Sequence, residues 1–492
     1  MNIKQAKEEL KHTIQAYIQK DEYGIYKMAA VRQRPVLLMG PPGIGKTAIM
    51  EQIAKECEIG LVSYTITHHT RQSAIGLPFI EKKEYGGKEY SITEYTMSEI
   101  IASVYDKMEN TGCQEGILFI DEINCVSETL APTMLQFLQC KTFGNHKVPE
   151  GWIIVAAGNP PEYNKSVRDF DIVTLDRVKK IDVEEDYGIW KEYAYERSIH
   201  PSILSYLDIK KEDFYCIETT VDGKEFVTAR GWEDLSQMMY LYEELGYQVT
   251  EEVVIQYVQH KRIAKDFANY LDLYYKYKDQ YQIEEVLKGK IVKSSVQSLS
   301  KAGFDEKISM ISLLITKLAA GIKEALAQDA FTTELFGKLK EVQAENDIAV
   351  VLNRINVKLE QMREQEMLDA EQEKQQHRLA AQLEAYLPIM EEKGFEGVKE
   401  AFAQQAELRK QLLEGAGKQL EYAFLFLEEA FGEGQELVWF VTELTSNYYT
   451  AKYIGRFGCE KYFYYNKELL LVEKDQELQR EIEEVKNLLD YM

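Results

Sequence analysis

The pattern of apolar positions changes character along the chain. In the first 180 or so residues, short unbroken apolar runs alternate with stretches of helical spacing. Pro35-Val36-Leu37-Leu38-Met39, Leu61-Val62-Ser63-Tyr64-Thr65-Ile66, Gly116-Ile117-Leu118-Phe119-Ile120 and Trp152-Ile153-Ile154-Val155-Ala156-Ala157 read as strands. Continuous runs of this kind suit strands covered on both faces, as in a parallel sheet. Between them, Ala48 to Ala54, Met97 to about Glu109, and about Glu128 to Gln139 read as helices. Residues 4–19 set Leu10, Ile14, Tyr17 and Ile18 on one helical face, and a short helix is expected from Thr70, stopping at Gly76-Leu77-Pro78. Strands alternating with helices predict an α/β layer. Phe79 to Thr96 departs from this rhythm, because alternating segments flank Tyr85-Gly86-Gly87-Lys88, a hairpin signal.

From Tyr187 onward helical patterns dominate, and after Pro201 the only proline is Pro388. Residues 182–247 predict a small helical domain, in which Thr228 caps a helix beginning Ala229-Arg230-Gly231-Trp232. Residues 248–492 predict an all-helical region. Within it, 359–382 are so polar that they read as a solvated helix or arm, without a sustained heptad. Residues 420–465 are rich in aromatics, which predicts a helical core, or more sharply a partner-binding surface.

Composition narrows the function classes. A chain of 492 residues predicts two to four domains, and 45% hydrophobic residues with a mean hydropathy of −0.36 suit a soluble globular protein. No apolar run approaches the roughly 18–20 residues of a membrane helix. The start, Met1-Asn2-Ile3-Lys4-Gln5, lacks a signal-peptide core, so a cytoplasmic location is expected. The six cysteines are scattered, with no Cys-x-x-Cys and no histidine at metal spacing, which predicts ordinary buried thiols in a reduced compartment. His68-His69 reads as a loop or structural pair, since adjacent residues of an extended segment point opposite ways. A net charge of −24 repels nucleic acid and anionic lipid and favours protein partners.

The chemistry centres on Gly40-Pro41-Pro42-Gly43-Ile44-Gly45-Lys46-Thr47, between an apolar strand and a helix. Such a turn directs backbone N–H groups and the positive helix end into one cavity suited to a polyphosphate. Lys46 can reach the β- and γ-phosphates, and Thr47 can place its hydroxyl on Mg²⁺. Asp121 and Glu122 close a buried strand 75 residues after Lys46. Two adjacent carboxylates there are costly unless a cation or a water needs them, so Asp121 is expected to hold Mg²⁺ and Glu122 to deprotonate an attacking water. Asn159 ends the next strand and can bond the γ-phosphate or the water without adding charge. Met39, Asp121 and Asn159 all sit at strand C-termini, where ligands of parallel sheets bind. Arg177 and Arg168 are candidates to stabilise charge on a neighbouring subunit's phosphates, and Arg230 to contact the nucleotide of its own subunit.

Together, Gly40–Thr47, Ile117–Asn124, Ala157–Pro160, Leu175–Arg177 and Thr228–Trp232 resemble an AAA+ ATPase. The hairpin after Gly76-Leu77-Pro78 looks like the insert that marks the MoxR-like branch. The resemblance covers about residues 1–247 and implies an α/β P-loop core with a parallel sheet in the order 5-1-4-3-2, a helical lid, and a hexameric ring with ATP between subunits. It implies domains at 1–181, 182–247 and 248–492, the last matching no family motif. By the same resemblance, Gly40, Pro41, Pro42, Gly43, Ile44, Gly45, Lys46, Thr47 and Ala48 bind ATP, and Thr47 and Asp121 hold Mg²⁺. Glu122, Asn159 (sensor 1), Arg177 (finger) and Arg230 (sensor 2) serve hydrolysis. MoxR-like proteins commonly remodel protein clients, often beside a partner with a von Willebrand factor A-type domain. The alternatives are a nucleic-acid motor, with Lys82, Lys83 and Lys88 of the hairpin lining a pore, and a nucleotide-gated scaffold with negligible turnover.

Overall fold

The computed structural model describes residues 1–66, 74, 76–163, 170–220, 223–364 and 370–467. The His68-His69 pair, Arg168 and most of the short helix expected from Thr70 lie outside the described residues. The chain divides into two compact units. The first holds the described residues of Met1–Ile189, Thr228–Arg230 and Glu360–Leu368, and the second holds those of Trp190–Val227, Gly231–Leu359 and Asp369–Met492.

The first unit is built on a five-stranded parallel sheet. Its strands are β1 (Val36–Met39), β2 (Gly60–Thr65), β5 (Gly116–Asp121), β8 (Trp152–Gly158) and β9 (Lys179–Asp182), in the order β2-β5-β8-β1-β9. This differs from the expected label 5-1-4-3-2 because two small hairpins take chain numbers between the sheet strands. Counted within the sheet alone, the strands read 5-1-4-3-2 from the β9 edge. One hairpin is β3 (Pro78–Tyr85) with β4 (Lys88–Tyr95), pairing Tyr85 with Lys88 across Gly86-Gly87. The other, β6 (Thr142–Phe143) with β7 (His146–Lys147), had no signal in the apolar pattern.

Every residue of β8 is buried, as are Gly116–Ile120 of β5. Helices cover these strands: α1 (Ile3–Tyr17), α2 (Lys46–Glu56), α3 (Glu99–Thr111) and α4 (Ala131–Cys140). The apolar faces of α3 (Ile100, Ile101, Val104) and α4 (Met134, Phe137, Leu138) share a core with Leu37, Leu118, Ile120, Ile154 and Ala156 of the sheet. Asn2 and Gln5 form a reciprocal capping box that starts α1, the Asn2 side chain accepting from the Gln5 amide at 2.9 Å. α4 begins three residues later than the apolar pattern predicts, with Pro132 in its first turn, where a missing N–H costs nothing.

The second unit is mainly helical but not wholly so. β10 (Cys216–Thr220) and β11 (Gly223–Val227) form an antiparallel ribbon, an addition to the small helical domain expected over 182–247. Around it, Trp232, Tyr206 and Phe267 pack edge to face, and the Trp232 indole donates to the Phe214 carbonyl at 3.2 Å. Helix Phe304–Glu345 packs along Ala370–Phe431, which is two helices meeting at Gly394, where the backbone leaves helical angles. Polar ties hold this bundle. Buried Asp329 accepts from Arg409 at 2.6 Å and from Arg456, and buried Lys191 donates to Asp208 and Glu443, each at 2.6 Å. Phe424, Phe426, Phe440 and Tyr453 are core residues, whereas Phe463 and Tyr464 stay half-exposed. The cysteines correct an expectation: all six are free thiols, but Cys140 is exposed and the other five only partly covered.

Candidate active site

The loop between β1 and α2 owes its shape to glycines at two kinds of position. Gly45 caps α2 with a φ of 94°, left-handed backbone that a side chain would oppose. At Gly40 a Cβ would stand 2.6 Å from the Val183 carbonyl oxygen, so only glycine lets the loop pass beneath the end of β9. No side chain caps α2, which leaves its first amides and its dipole facing the crevice.

Lys46, 8% exposed, lies at the base of this loop. Its ammonium donates to the carbonyls of Gly40 (2.9 Å) and Pro41 (2.7 Å) and to Asn159 Oδ1 (2.9 Å). Burial brings its pKa down to about 8; Asp121 and Glu122 pull it upward, and the Arg230 charge adds to the lowering. A buried cation in that condition is suited to an anionic guest.

Across the crevice, Thr47 donates its hydroxyl to Asp121 Oδ2 at 3.0 Å, while Asp121 Oδ1 accepts the Glu122 amide at 2.9 Å. Glu122 takes a φ of 57°, an unusual backbone for a residue with a side chain. The Ile123 amide on the Ala157 carbonyl (2.9 Å) and the Cys125 amide on the Glu122 carbonyl (2.8 Å) hold that kink. Residues from three strand ends, separated by up to 113 positions in sequence, are thereby brought together.

The donor set fits a magnesium nucleotide. The Thr47 hydroxyl and Asp121 carboxylate are hard oxygen ligands already side by side, as Mg²⁺ requires. The loop amides and Lys46 supply positive charge for phosphates.

Residues 36–174 match the model of the ATPase family associated with various cellular activities (AAA). That stretch is therefore similar to an AAA domain. No curated protein matches the chain. The AAA domain is of an ATPase type and implies nucleotide binding, and proteins of this kind typically oligomerise. It takes in the phosphate loop, Asp121, Glu122 and Asn159, and it ends three residues before Arg177.

The arginines are placed differently from one another. Arg230 belongs to the first unit, and its Cβ would lie 3.5 Å from a Cβ built at Gly43 in the loop. Arg177 precedes β9, whose first residue pairs with Val36, so it sits at the opposite end of the strands from Gly40. At about 3.3 Å per residue, that is roughly 20 Å along the sheet. It is exposed and donates to Gln139 at the end of α4.

Asn124 is the residue that sequence reasoning passed over. Its side chain donates to the Asn159 carbonyl at 2.8 Å and accepts the Asn159 amide at 3.3 Å, clamping that backbone from both sides. The clearance is tight enough that a Cβ on Gly158 would meet Asn124 Oδ1 at 2.6 Å. The available signal was a polar residue three positions beyond Asp121, just past a buried strand end.

Proposed function

We propose that the chain is an oligomeric, Mg²⁺-dependent ATPase of the MoxR-like branch that uses ATP hydrolysis to remodel a protein client. The observation that carries this reading is the convergence of Lys46 on Asn159 and of Thr47 on Asp121 at the C-terminal ends of one parallel sheet. Gly40–Thr47 and Ala48 cradle the phosphates, with Lys46 exchanging its internal acceptors for phosphate oxygens. Mg²⁺, held through Thr47 and Asp121, would neutralise charge on those oxygens. Glu122 accepts the proton of the attacking water, and Asn159, fixed by Asn124, orients that water. Arg230 senses the nucleotide from the first turn of helix Ala229–Leu245, whose remainder belongs to the second unit. Arg177, far from its own loop, serves the site of a neighbouring subunit, with Arg168 as the second candidate finger. A ring, hexameric by resemblance, satisfies that arrangement.

The hairpin β3–β4 suits client contact, because Phe79, Ile80, Tyr85 and Tyr90 are exposed on it. A von Willebrand factor A-domain protein is the partner class this branch brings, and the cytoplasm is the setting. The nucleic-acid reading loses support from the same hairpin: of Lys82, Lys83 and Lys88, the first pairs with Glu89 at 2.8 Å and the second with Glu94, so two of the three already have acidic partners.

The test compares three forms of the purified full chain. Lys46→Ala should lose ATP binding by calorimetry, and Glu122→Gln should bind ATP while turnover falls to background. Wild-type turnover by Glu122→Gln would show that another group is the base. Negligible turnover by the unaltered chain, with partner present, would favour the scaffold. The Glu122→Gln form held in ATP should retain a discrete protein from its own extract; retention of nucleic acid instead would overturn the remodeler reading.

A further inference from the structure

The second unit carries a side-chain cluster that the nucleotide chemistry does not use. Cys216 and Glu218 lie on the same face of β10, two residues apart on a strand. Glu225 of β11 is the direct cross-strand partner of Glu218. His260 caps the start of helix Lys261–Tyr281 and is brought against the ribbon, where the Phe226 amide donates to the Gln259 carbonyl at 2.9 Å. One ligand atom from each of Cys216, Glu218 and His260 lies within 4.8 Å of the other two.

Three features of this cluster call for a cation. Two carboxylates stand directly opposite each other across the ribbon, a repulsive arrangement that the Lys261 ammonium, 3.8 Å from Glu225 Oε1 and largely exposed, offsets only on the Glu225 side. The His260 ring is 3% exposed, yet neither of its nitrogens has a hydrogen-bond partner. Buried imidazole nitrogens without partners are costly in a folded protein. The third feature is spacing. Tetrahedral zinc bonds of about 2.0 Å to nitrogen and oxygen and about 2.3 Å to sulfur imply ligand edges of about 3.3 Å for N···O and about 3.5 Å for S···O. His260 Nε2 is 3.4 Å from Glu218 Oε2, and Cys216 Sγ is 3.6 Å from the other oxygen, Oε1. The carboxylate thus lies between the two other ligands, and one of its oxygens must turn to serve both edges.

We propose that Cys216, Glu218 and His260 bind one divalent transition-metal ion of the zinc class, which ties the ribbon to the start of helix Lys261–Tyr281. Cys216 supplies a thiolate, Glu218 a carboxylate oxygen and His260 its Nε2. The mixed sulfur, nitrogen and oxygen set selects zinc-like ions over Mg²⁺ and Ca²⁺, which prefer oxygen alone. Glu225 completes the arrangement without ligating. Its Oε2 lies 3.6 Å from His260 Nδ1 and accepts the Lys261 amide at 2.9 Å, so a small shift would let it accept a hydrogen bond from Nδ1–H and fix the ring. Three protein ligands leave the fourth position to water. Access is from the surface, where the Glu218 side chain is 54% exposed and a groove of about 490 Å³ runs past Glu225, Gln256 and Gln259. The nearby positive charge of Arg262 is held away by Asp213 at 3.0 Å.

The experiment uses the full chain stripped with a chelator, then dialysed against micromolar Zn²⁺ or Co²⁺ under reducing conditions. One equivalent of zinc should remain bound by elemental analysis. The cobalt form should show an intense near-ultraviolet thiolate-to-cobalt charge-transfer band and visible bands of tetrahedral strength. Cys216→Ser should abolish the charge-transfer band, and His260→Gln should lose the bound equivalent. Glu225→Gln should weaken zinc about 10–100-fold while keeping one equivalent. Far-UV circular dichroism and the unaltered ATP affinity of each variant serve as folding controls. No retained metal, a cobalt form without the charge-transfer band, or undiminished binding in Cys216→Ser would overturn the proposal. None of these readouts depends on ATP turnover, so the metal site and the remodeling function stand or fall separately.

Discussion

At the scale of single residues, the candidate crevice depends on one side-chain amide, that of Asn124, which is not among the residues proposed to meet the nucleotide. Asn124 holds both backbone groups of Asn159, and Asn159 in turn holds the Lys46 ammonium. Asn124→Ala strands a part-buried N–H and C=O pair on Asn159, which costs up to about 1–3 kcal/mol per group left unsatisfied. The expected outcome is a lower melting temperature and ATP turnover slowed by about 10-fold or more, with nucleotide affinity changed by less than about 3-fold. Differential scanning fluorimetry and steady-state assays check it; a loss of affinity equal to the loss of turnover would mean that Asn124 supports the loop as a whole. The phosphate loop and the Asp121-Glu122 pair were legible in the sequence because each is a local string whose spacing carries its chemistry. Asn124 was not, because its role exists only once β5 and β8 lie side by side.

At the scale of elements, unbroken apolar runs announced β1, β5 and β8, and Gly86-Gly87 announced the β3–β4 hairpin. The β10–β11 ribbon went unread because Cys216 to Val227 is short and mixed in polarity, and it lies between strong helical patterns. The Cys216–His260 pairing was illegible for a related reason: 44 residues separate the two, and only the docking of ribbon on helix removes that distance. The hairpin offers a clean test of modularity. Its base is fastened independently of its tip, since the Thr96 amide donates to the Leu77 carbonyl at 2.9 Å and the Leu77 amide to Thr96 Oγ1 at 2.8 Å. Replacing Phe79–Glu94 with Gly-Gly should therefore change stability by no more than about 1 kcal/mol, in the range of surface changes. Basal ATP turnover should stay within about 2-fold, while any stimulation by client disappears. A collapse of basal turnover would place the hairpin in the nucleotide chemistry instead.

For the whole molecule, the proposed role of Arg177 as a finger would require a neighbouring subunit, because this arginine lies far from its own phosphate loop. A chain with Arg177→Ala keeps a complete loop, and a chain with Lys46→Ala keeps a complete finger. Each alone should be nearly inactive, the finger loss amounting to about 10³–10⁵ in rate if it matches GTPase systems. Mixed together, they should regain a measurable fraction of turnover, because some interfaces then pair an intact loop with an intact finger. Sedimentation velocity with and without nucleotide should show the assembly in which this happens. Absence of rescue in a demonstrably mixed oligomer would assign the finger to another arginine.

The depressed ammonium of Lys46 also makes nucleotide capture a proton-coupled event. In the empty crevice this group gives up its proton near pH 8, whereas phosphate oxygens beside it hold the proton on. Below about pH 7 the ammonium is charged in both states, and affinity should not change with pH on its account. Above about 8 the empty site has lost the proton that the filled site keeps, so each binding event draws one from solution and affinity falls by up to about 10-fold per pH unit. Calorimetry at about pH 8.5 in two buffers of different ionisation enthalpy should reveal that uptake as a difference in apparent heat, and at about pH 6.5 the difference should vanish. A compartment more alkaline than about pH 8 should therefore weaken nucleotide capture by this loop, and a neutral one should leave it at full strength.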